Sequence, residues 1–235
     1  AERHFLGIEL GSTRIKAIEI DEGFSLVCEG GYTWKSEYVD RIWTYSIDEV
    51  WKGLKAALAP FRGKNFDAVG ISGMMHGYIA LEGLKSADTV PYRQNTITAQ
   101  AAEQLTSAFD FNIPQRWSIA HFYQAPLNGE EHTARVAHIT TLAGYVHHML
   151  TGVNAVGIGE ASGMFPIDIQ TKDYNQNMIN QFEEKAASMG YNFHLRELLP
   201  KTALAGEIAG YLTEEGARKL DVSGSLKAGV PIAPA

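Results

Sequence analysis

The stretch that decides the fold lies near the start of the chain: HFLGIELGSTRIKAIEI, residues 4–20. An apolar run over residues 5–10 breaks at Gly11-Ser12-Thr13 and resumes over residues 15–20. In the second run apolar and polar residues partly alternate, as in a half-buried strand. A third run, residues 24–34, follows the turn Asp21-Glu22-Gly23. Three strands joined by tight turns predict an antiparallel meander. At the first turn, glycine allows a ligand to approach the backbone closely. The Ser12 and Thr13 hydroxyls and the exposed turn amides suit phosphate oxygens. Glu9, just before the turn, is placed to hold a divalent cation directly or through water, since Mg²⁺ prefers oxygen ligands. Lys16, beyond it, would neutralise a phosphate or face solvent. The plain alternative is a hairpin with an exposed acid and lysine.

Further along, Ser46 and Glu49 have the spacing of a capping box ahead of Val50, Trp51, Leu54, Leu58 and Phe61, which share one helical face. Residues 66–72 and 77–81 read as strands. Thr98 is positioned to cap a helix carrying Ala102, Leu105 and Phe109. Residues 118–151 read as mostly helical, ending at Gly152. A helix starting at Asp173 and ending at Gly190, and another over 212–220 capped by Thr213, complete the reading. Strands first and helices later predict an α/β or α+β fold in one chain without an obvious linker.

The chain has 235 residues, 45% of them hydrophobic and 20% charged, with 27 acidic against 20 basic residues. A formal charge of −7 and no basic run argue against a general nucleic-acid binder. The single cysteine, Cys28, allows no disulfide within the chain and fits a reducing compartment. No signal-peptide pattern and no 18-residue apolar run is visible, so a cytoplasmic protein off the membrane is expected. The Walker A pattern is absent. Gly157, Gly159 and Gly163 are spaced one residue too widely for a dinucleotide fingerprint. His147 and His148 are adjacent on a helix and point about 100° apart, so they do not chelate together.

Three other stretches hold candidate ligand groups. Gly70-Ile71-Ser72-Gly73-Met74-Met75-His76-Gly77 leaves a strand end, where α/β proteins place ligands, and His76 would hydrogen-bond a sugar hydroxyl. Pro91-Tyr92-Arg93-Gln94-Asn95-Thr96 reads as a polar loop whose Arg93 and Asn95 suit polyol hydroxyls. Gly157-Ile158-Gly159-Glu160-Ala161-Ser162-Gly163-Met164 carries one acid, Glu160, which either reaches substrate or complements a helix dipole.

Residues 7–16, GIELGSTRIK, resemble the first phosphate motif of the FGGY carbohydrate kinases, and residues 71–77, ISGMMHG, resemble their sugar-site motif, especially that of xylulose kinases. Residues 142–152 and 159–164 resemble family segments in the same order, so the likeness spans nearly the whole chain. It implies a ribonuclease H-like domain of the actin and hexokinase superfamily: a mixed central sheet with an antiparallel N-terminal meander, flanked by helices. Residues 1–235 would then be the N-terminal, sugar-binding domain, with the C-terminal domain absent. The family's catalytic Asp, the base that deprotonates the sugar hydroxyl, is expected beyond Ala235, so this fragment is expected to be inactive alone.

The resemblance implies ATP and Mg²⁺ as cofactors and transfer of the γ-phosphoryl group to a sugar or polyol, a ketopentose such as xylulose or ribulose. It assigns phosphate to Gly11, Ser12, Thr13 and Lys16, the metal to Glu9, and the sugar to Met75, His76, Gly77, Arg93, Asn95 and Glu160. Partners would be the sugar and the missing domain, with neither nucleic acid nor membrane; the oligomeric state stays open, a homodimer included. Three departures stand out. Glu9 replaces the usual Asp, Met74 replaces Gln, and the stretch after Tyr92 lacks the usual tryptophan and acid. A non-catalytic sugar- or nucleotide-binding module of the same fold is the alternative. An actin-like or Hsp70-like ATPase is disfavoured by Met75-His76-Gly77.

Overall fold

The computed structural model describes residues 1–82, 89–93 and 97–235, the strand 89–93 by its backbone. The meander forms as expected: β1 (His4–Leu10), β2 (Arg14–Asp21) and β3 (Leu26–Thr33) pair antiparallel in sequence order. Strand Ala68–Gly73 lies parallel to β1 on its other side, and strand Pro231–Ile232 lies parallel to that. The short strand Gly210–Tyr211 closes the six-stranded sheet, which is therefore mixed.

Helix α1 (Ile47–Leu58) begins where the sequence places its cap, with the Ser46 hydroxyl accepting from the Glu49 amide at 3.4 Å. The reciprocal arm of the capping box goes elsewhere. Glu49 Oε2 accepts from the Tyr32 hydroxyl at 2.7 Å and ties α1 to β3. One face of the sheet is apolar. Leu6, Ile8 and Leu10 of β1, Ile15 and Ala17 of β2, and Val69 and Ile71 pack with Val50, Leu54 and Ala57 of α1. Helices Leu142–Thr151 and Glu214–Leu220 cover the same core. Leu54 is fully buried. Leu54→Ala is expected to cost about 2–5 kcal/mol, read as a lower urea midpoint with an unchanged slope.

A second, antiparallel sheet runs in the order Glu37–Val39, Ile42–Tyr45, Thr89–Arg93, Tyr78–Leu81, His138–Thr140. Strand Tyr78–Leu81 is buried at all four positions: Ile79 and Leu81 feed the first core, Tyr78 and Ala80 the second. Helices Ala99–Phe109, Ser118–Leu127 and Gln176–Ser188 enclose the second core, where Phe122 stacks on Phe182 at 5.8 Å.

Four expectations are corrected. Residues 118–151 are not one helical stretch. Past Leu127 and Gly129 a short 3₁₀ turn (Glu131–Arg135) leads into strand His138–Thr140, whose β-branched Ile139 and Thr140 are fully buried. Asp173 lies in a two-residue strand, and the helix starts at Gln176, capped by Asn175, whose side chain accepts from the Met178 amide at 3.1 Å. Pro91-Tyr92-Arg93 is strand rather than loop, pairing through Tyr92 with Tyr45 and through Arg93 with Thr44 and Tyr78. Thr98 precedes its helix, but its hydroxyl donates to the Gln115 carbonyl instead of capping.

One buried charge has partners. Glu19, 3% exposed, accepts from Lys64 Nζ at 2.8 Å and pairs with His4. Burial alone would raise its pKa, but the hydrogen bonds from Lys64 and His4 hold it below the usual glutamate value. A depressed carboxylate pKa stabilises the fold above the unfolded-state value and loses that contribution as pH falls through the folded-state value. Glu19→Gln is expected to cost about 1–2 kcal/mol at neutral pH and to flatten the stability loss between roughly pH 5 and pH 3 in urea titrations.

Candidate functional site

The apolar face of the sheet leaves Gly7 and Glu9 of β1 on the opposite face, beside Lys16 and Ile18 of β2 and Gly70 and Ser72 of strand Ala68–Gly73. A cleft of about 360 Å³ opens there. Its floor is made by Gly7 and Gly70, which are direct register partners, and Pro234 lies at its side. A Cβ on Gly70 would meet nothing within 4 Å, so the glycine leaves open space.

At the rim, Glu9 stands between two neighbours in register: Lys16 on β2 and Ser72 on the parallel strand. All three are exposed. Lys16 therefore sits beside the acid, and the turn lies beyond both of them. The turn is held from behind. The Gly11 amide donates to the Arg14 carbonyl at 2.9 Å. The Gly11 carbonyl accepts from Trp34 Nε1 at 2.7 Å, and the Ser12 carbonyl accepts from the Tyr45 hydroxyl at 2.8 Å. The Thr13 carbonyl accepts from the Trp34 amide at 3.0 Å. The Trp34 and Tyr45 rings pack together at 4.7 Å. Three turn carbonyls are thus occupied by protein donors, while the Ser12 and Thr13 side chains stay exposed. This polarity suits an anion, which carbonyl oxygens would repel. Trp34→Phe, which loses the Nε1 donor but keeps a ring, is expected to cost about 1 kcal/mol in urea unfolding.

The other turn leaves the neighbouring strand end. The Met74 amide donates to the Leu10 carbonyl at 2.9 Å, joining the end of β1 to the 74–77 turn. Met75 is exposed, and His76 takes φ 66° and Gly77 φ 85°, both left-handed. Residues other than glycine seldom adopt that backbone. The Gly77 amide donates to the Arg116 carbonyl at 2.9 Å, and its carbonyl accepts from the Ser118 hydroxyl. Gly163, three residues after Glu160, touches the His76 ring through its carbonyl, Nδ1 to oxygen 3.3 Å. Arg93 lies beside Tyr78 in the second sheet, so its backbone runs next to the same turn. Asn95 lies outside the described residues.

Glu160 sits in a one-turn helix, Ile158–Ala161, half-buried. Burial raises its pKa, partly offset by the Thr141 hydroxyl, and among the described residues its buried Oε1 has no hydrogen-bond partner. It shares a loop with Gly163 but does not line the cleft at Glu9. His147 and His148 are buried packing residues whose pKa values burial pushes down. Among the described residues no group of three or more His, Cys, Asp or Glu is placed to hold a metal, and no helix is long and apolar enough to cross a membrane.

Sequence reasoning missed Trp34, Tyr45 and the contact role of Gly163. Ser72 lay inside a quoted stretch, but only strand register shows it next to Glu9. No local pattern announces a carbonyl brace, because it depends on residues some twenty to thirty positions away.

The two turns leave the ends of adjacent parallel strands in a mixed sheet begun by an antiparallel meander, the arrangement expected of a ribonuclease H-like fold. No family model matches the chain. It is 21% identical over 241 residues to a xylulose kinase of Lactococcus lactis, covering 95% of this chain and 46% of that protein. It is 24% identical over 239 residues to an uncharacterized sugar kinase of Escherichia coli K12, covering 99% and 41%. The crystal structure of a xylulose kinase from Brucella ovis superposes with a TM-score of 0.79 at 19% identity, over 98% of this chain and 48% of that one. A gluconate kinase from Lactobacillus acidophilus gives 0.77 at 15% identity, over 99% and 47%. These matches bear out the resemblance to FGGY carbohydrate kinases and the fold it implies. The chain spans less than half the length of the curated relatives it matches.

Proposed function

We propose that residues 1–235 form the N-terminal, sugar-binding domain of a carbohydrate kinase, whose full-length form transfers the γ-phosphoryl group of ATP to a hydroxyl of a ketopentose such as xylulose or ribulose. One observation carries this reading. The Gly11–Thr13 turn and the Met75–Gly77 turn leave the same end of two adjacent parallel strands and are joined by the Met74–Leu10 hydrogen bond. Ligands of open α/β sheets collect at such carboxyl ends. Phosphate would lie at Ser12 and Thr13 with Lys16 as a nearby positive charge, and sugar hydroxyls at His76, Arg93, Asn95 and Glu160.

The residues at the rim fit Mg²⁺, which takes one or two carboxylates, keeps several waters and draws its other ligands from substrate phosphates. Glu9 would supply that carboxylate beside the Ser72 hydroxyl. When bound, the ion neutralises charge on the transferring phosphoryl group. Strand Pro231–Ile232 runs parallel to Ala68–Gly73, so the expected Asp beyond Ala235 would be carried toward the 74–77 turn. Glu9 in place of Asp favours the second reading, a non-catalytic binding module.

A coupled ADP-release screen of the full-length protein over pentuloses, hexuloses and polyols tests the proposal. Sugar-stimulated, Mg²⁺-dependent ADP release is expected. Its absence from well-folded protein with every sugar would leave only the binding module.

A further inference from the structure

Three successive carbonyls of the Gly11–Thr13 turn are held from one side. The Gly11 carbonyl accepts from Trp34 Nε1 at 2.7 Å, the Ser12 carbonyl from the Tyr45 hydroxyl at 2.8 Å, and the Thr13 carbonyl from the Trp34 amide at 3.0 Å. In a planar trans peptide the carbonyl and the amide of the next residue point in opposite directions. Holding the Gly11 carbonyl therefore aims the Ser12 amide, and holding the Ser12 carbonyl aims the Thr13 amide. Both amides face away from the two rings. Among the described residues neither donates to a protein acceptor. The holders are fixed in turn, since Trp34 is 5% exposed and its ring packs on Tyr45 at 4.7 Å. Successive backbone amides aimed one way form a donor site for an oxyanion.

We propose that Trp34 and Tyr45 are positioning residues for this turn: by holding the Gly11 and Ser12 carbonyls from behind, they aim the Ser12 and Thr13 amides at a nucleotide phosphate. Neither side chain touches the anion. The inference rests on the phosphate reading of the turn and not on turnover of any sugar.

Two measurements on the full-length protein test it. By calorimetry, Trp34→Phe, which keeps a ring but loses the donor, is expected to weaken MgADP binding about tenfold, the order of one lost hydrogen bond. Tyr45→Phe is expected to weaken it several-fold. Adenosine, which has no phosphate, is expected to bind both variants within about twofold of wild type. Glu19→Gln, with its own stability cost near the other end of β2, is the control and is expected to keep MgADP affinity within about twofold. In ¹⁵N-tryptophan-labelled protein, the Trp34 indole signal is assigned by its loss in Trp34→Phe. It is expected to move when MgADP binds, because an anion on the Ser12 amide polarises the peptide whose carbonyl the indole holds.

Unchanged MgADP affinity in Trp34→Phe, an equal loss for adenosine or in Glu19→Gln, or an indole signal that MgADP leaves in place would overturn the proposal. Failure of the wild type to bind MgADP would overturn it together with the phosphate reading. A tenfold loss in Trp34→Phe from a protein that turns over no sugar would support it while the kinase reading falls.

Discussion

Glu9→Ala in the full-length protein is expected to lower kcat by at least about 10²-fold while leaving the KM for sugar within a few-fold. Glu9 stands at the cleft rim between Lys16 and Ser72, and His76 does not line that cleft. The carboxylate would act on the metal and phosphates, so its loss should appear in turnover and in the Mg²⁺ concentration needed, in line with ligand losses at other metal sites. Glu9→Asp, one methylene shorter, is the informative companion. Activity kept or raised by Asp marks the position as a cation ligand, whereas equal loss in Asp and Ala would mean that the glutamate length itself is required. An unchanged kcat in Glu9→Ala would remove the metal role. Steady-state rates over a Mg²⁺ series read all three outcomes.

A large loss of stability is also expected at Gly30. A Cβ there would stand 1.9 Å from the Ala57 carbonyl oxygen and 3.0 Å from its carbon, so β3 and α1 approach too closely for any side chain. The obstacle is backbone, which cannot rotate away as a side-chain tip can. Gly30→Ala is expected to cost about 3 kcal/mol, the upper end of overpacking losses, and to lower the urea midpoint accordingly. Gly70→Ala is the control. Nothing lies within 4 Å of its Cβ, so a change within about 0.5 kcal/mol is expected. Similar losses at both positions would show that the β3–α1 contact is not what limits the site.

Much of the fold was legible because the signals were local. The 4–20 stretch states two strands and their turn, Ser46 and Thr213 mark helix starts, and Gly152 and Gly190 mark helix ends with positive φ. What was lost depended on partners far along the chain. His138–Thr140 has three residues and looks like helix filler until Leu81 and Ile79 pair with it. Pro91 suggested a loop, yet its strand is set by Thr44, Tyr45 and Tyr78. Asp173 read as a helix start, but the backbone stays extended for two residues and Asn175 caps the helix that begins at Gln176.

The candidate site divides along the same line. Its residue types, a glycine turn with hydroxyls and an acid, and a Met-His-Gly turn, could be read directly. Their meeting could not, because it depends on the parallel register that sets Glu9 against Ser72 and on the hydrogen bond from Met74 to Leu10. The braces by Trp34 and Tyr45 and the contact of Gly163 with His76 are equally non-local.

The central claim, that these two turns are one half of a kinase cleft, is tested most directly by ADP release measured side by side on the full-length protein and on residues 1–235, each with ATP, Mg²⁺ and D-xylulose or D-ribulose. Sugar-dependent ADP release is expected from the full-length protein and none from residues 1–235. Turnover by residues 1–235 alone, or a full-length protein that binds sugar but releases no ADP with either pentulose, would contradict it.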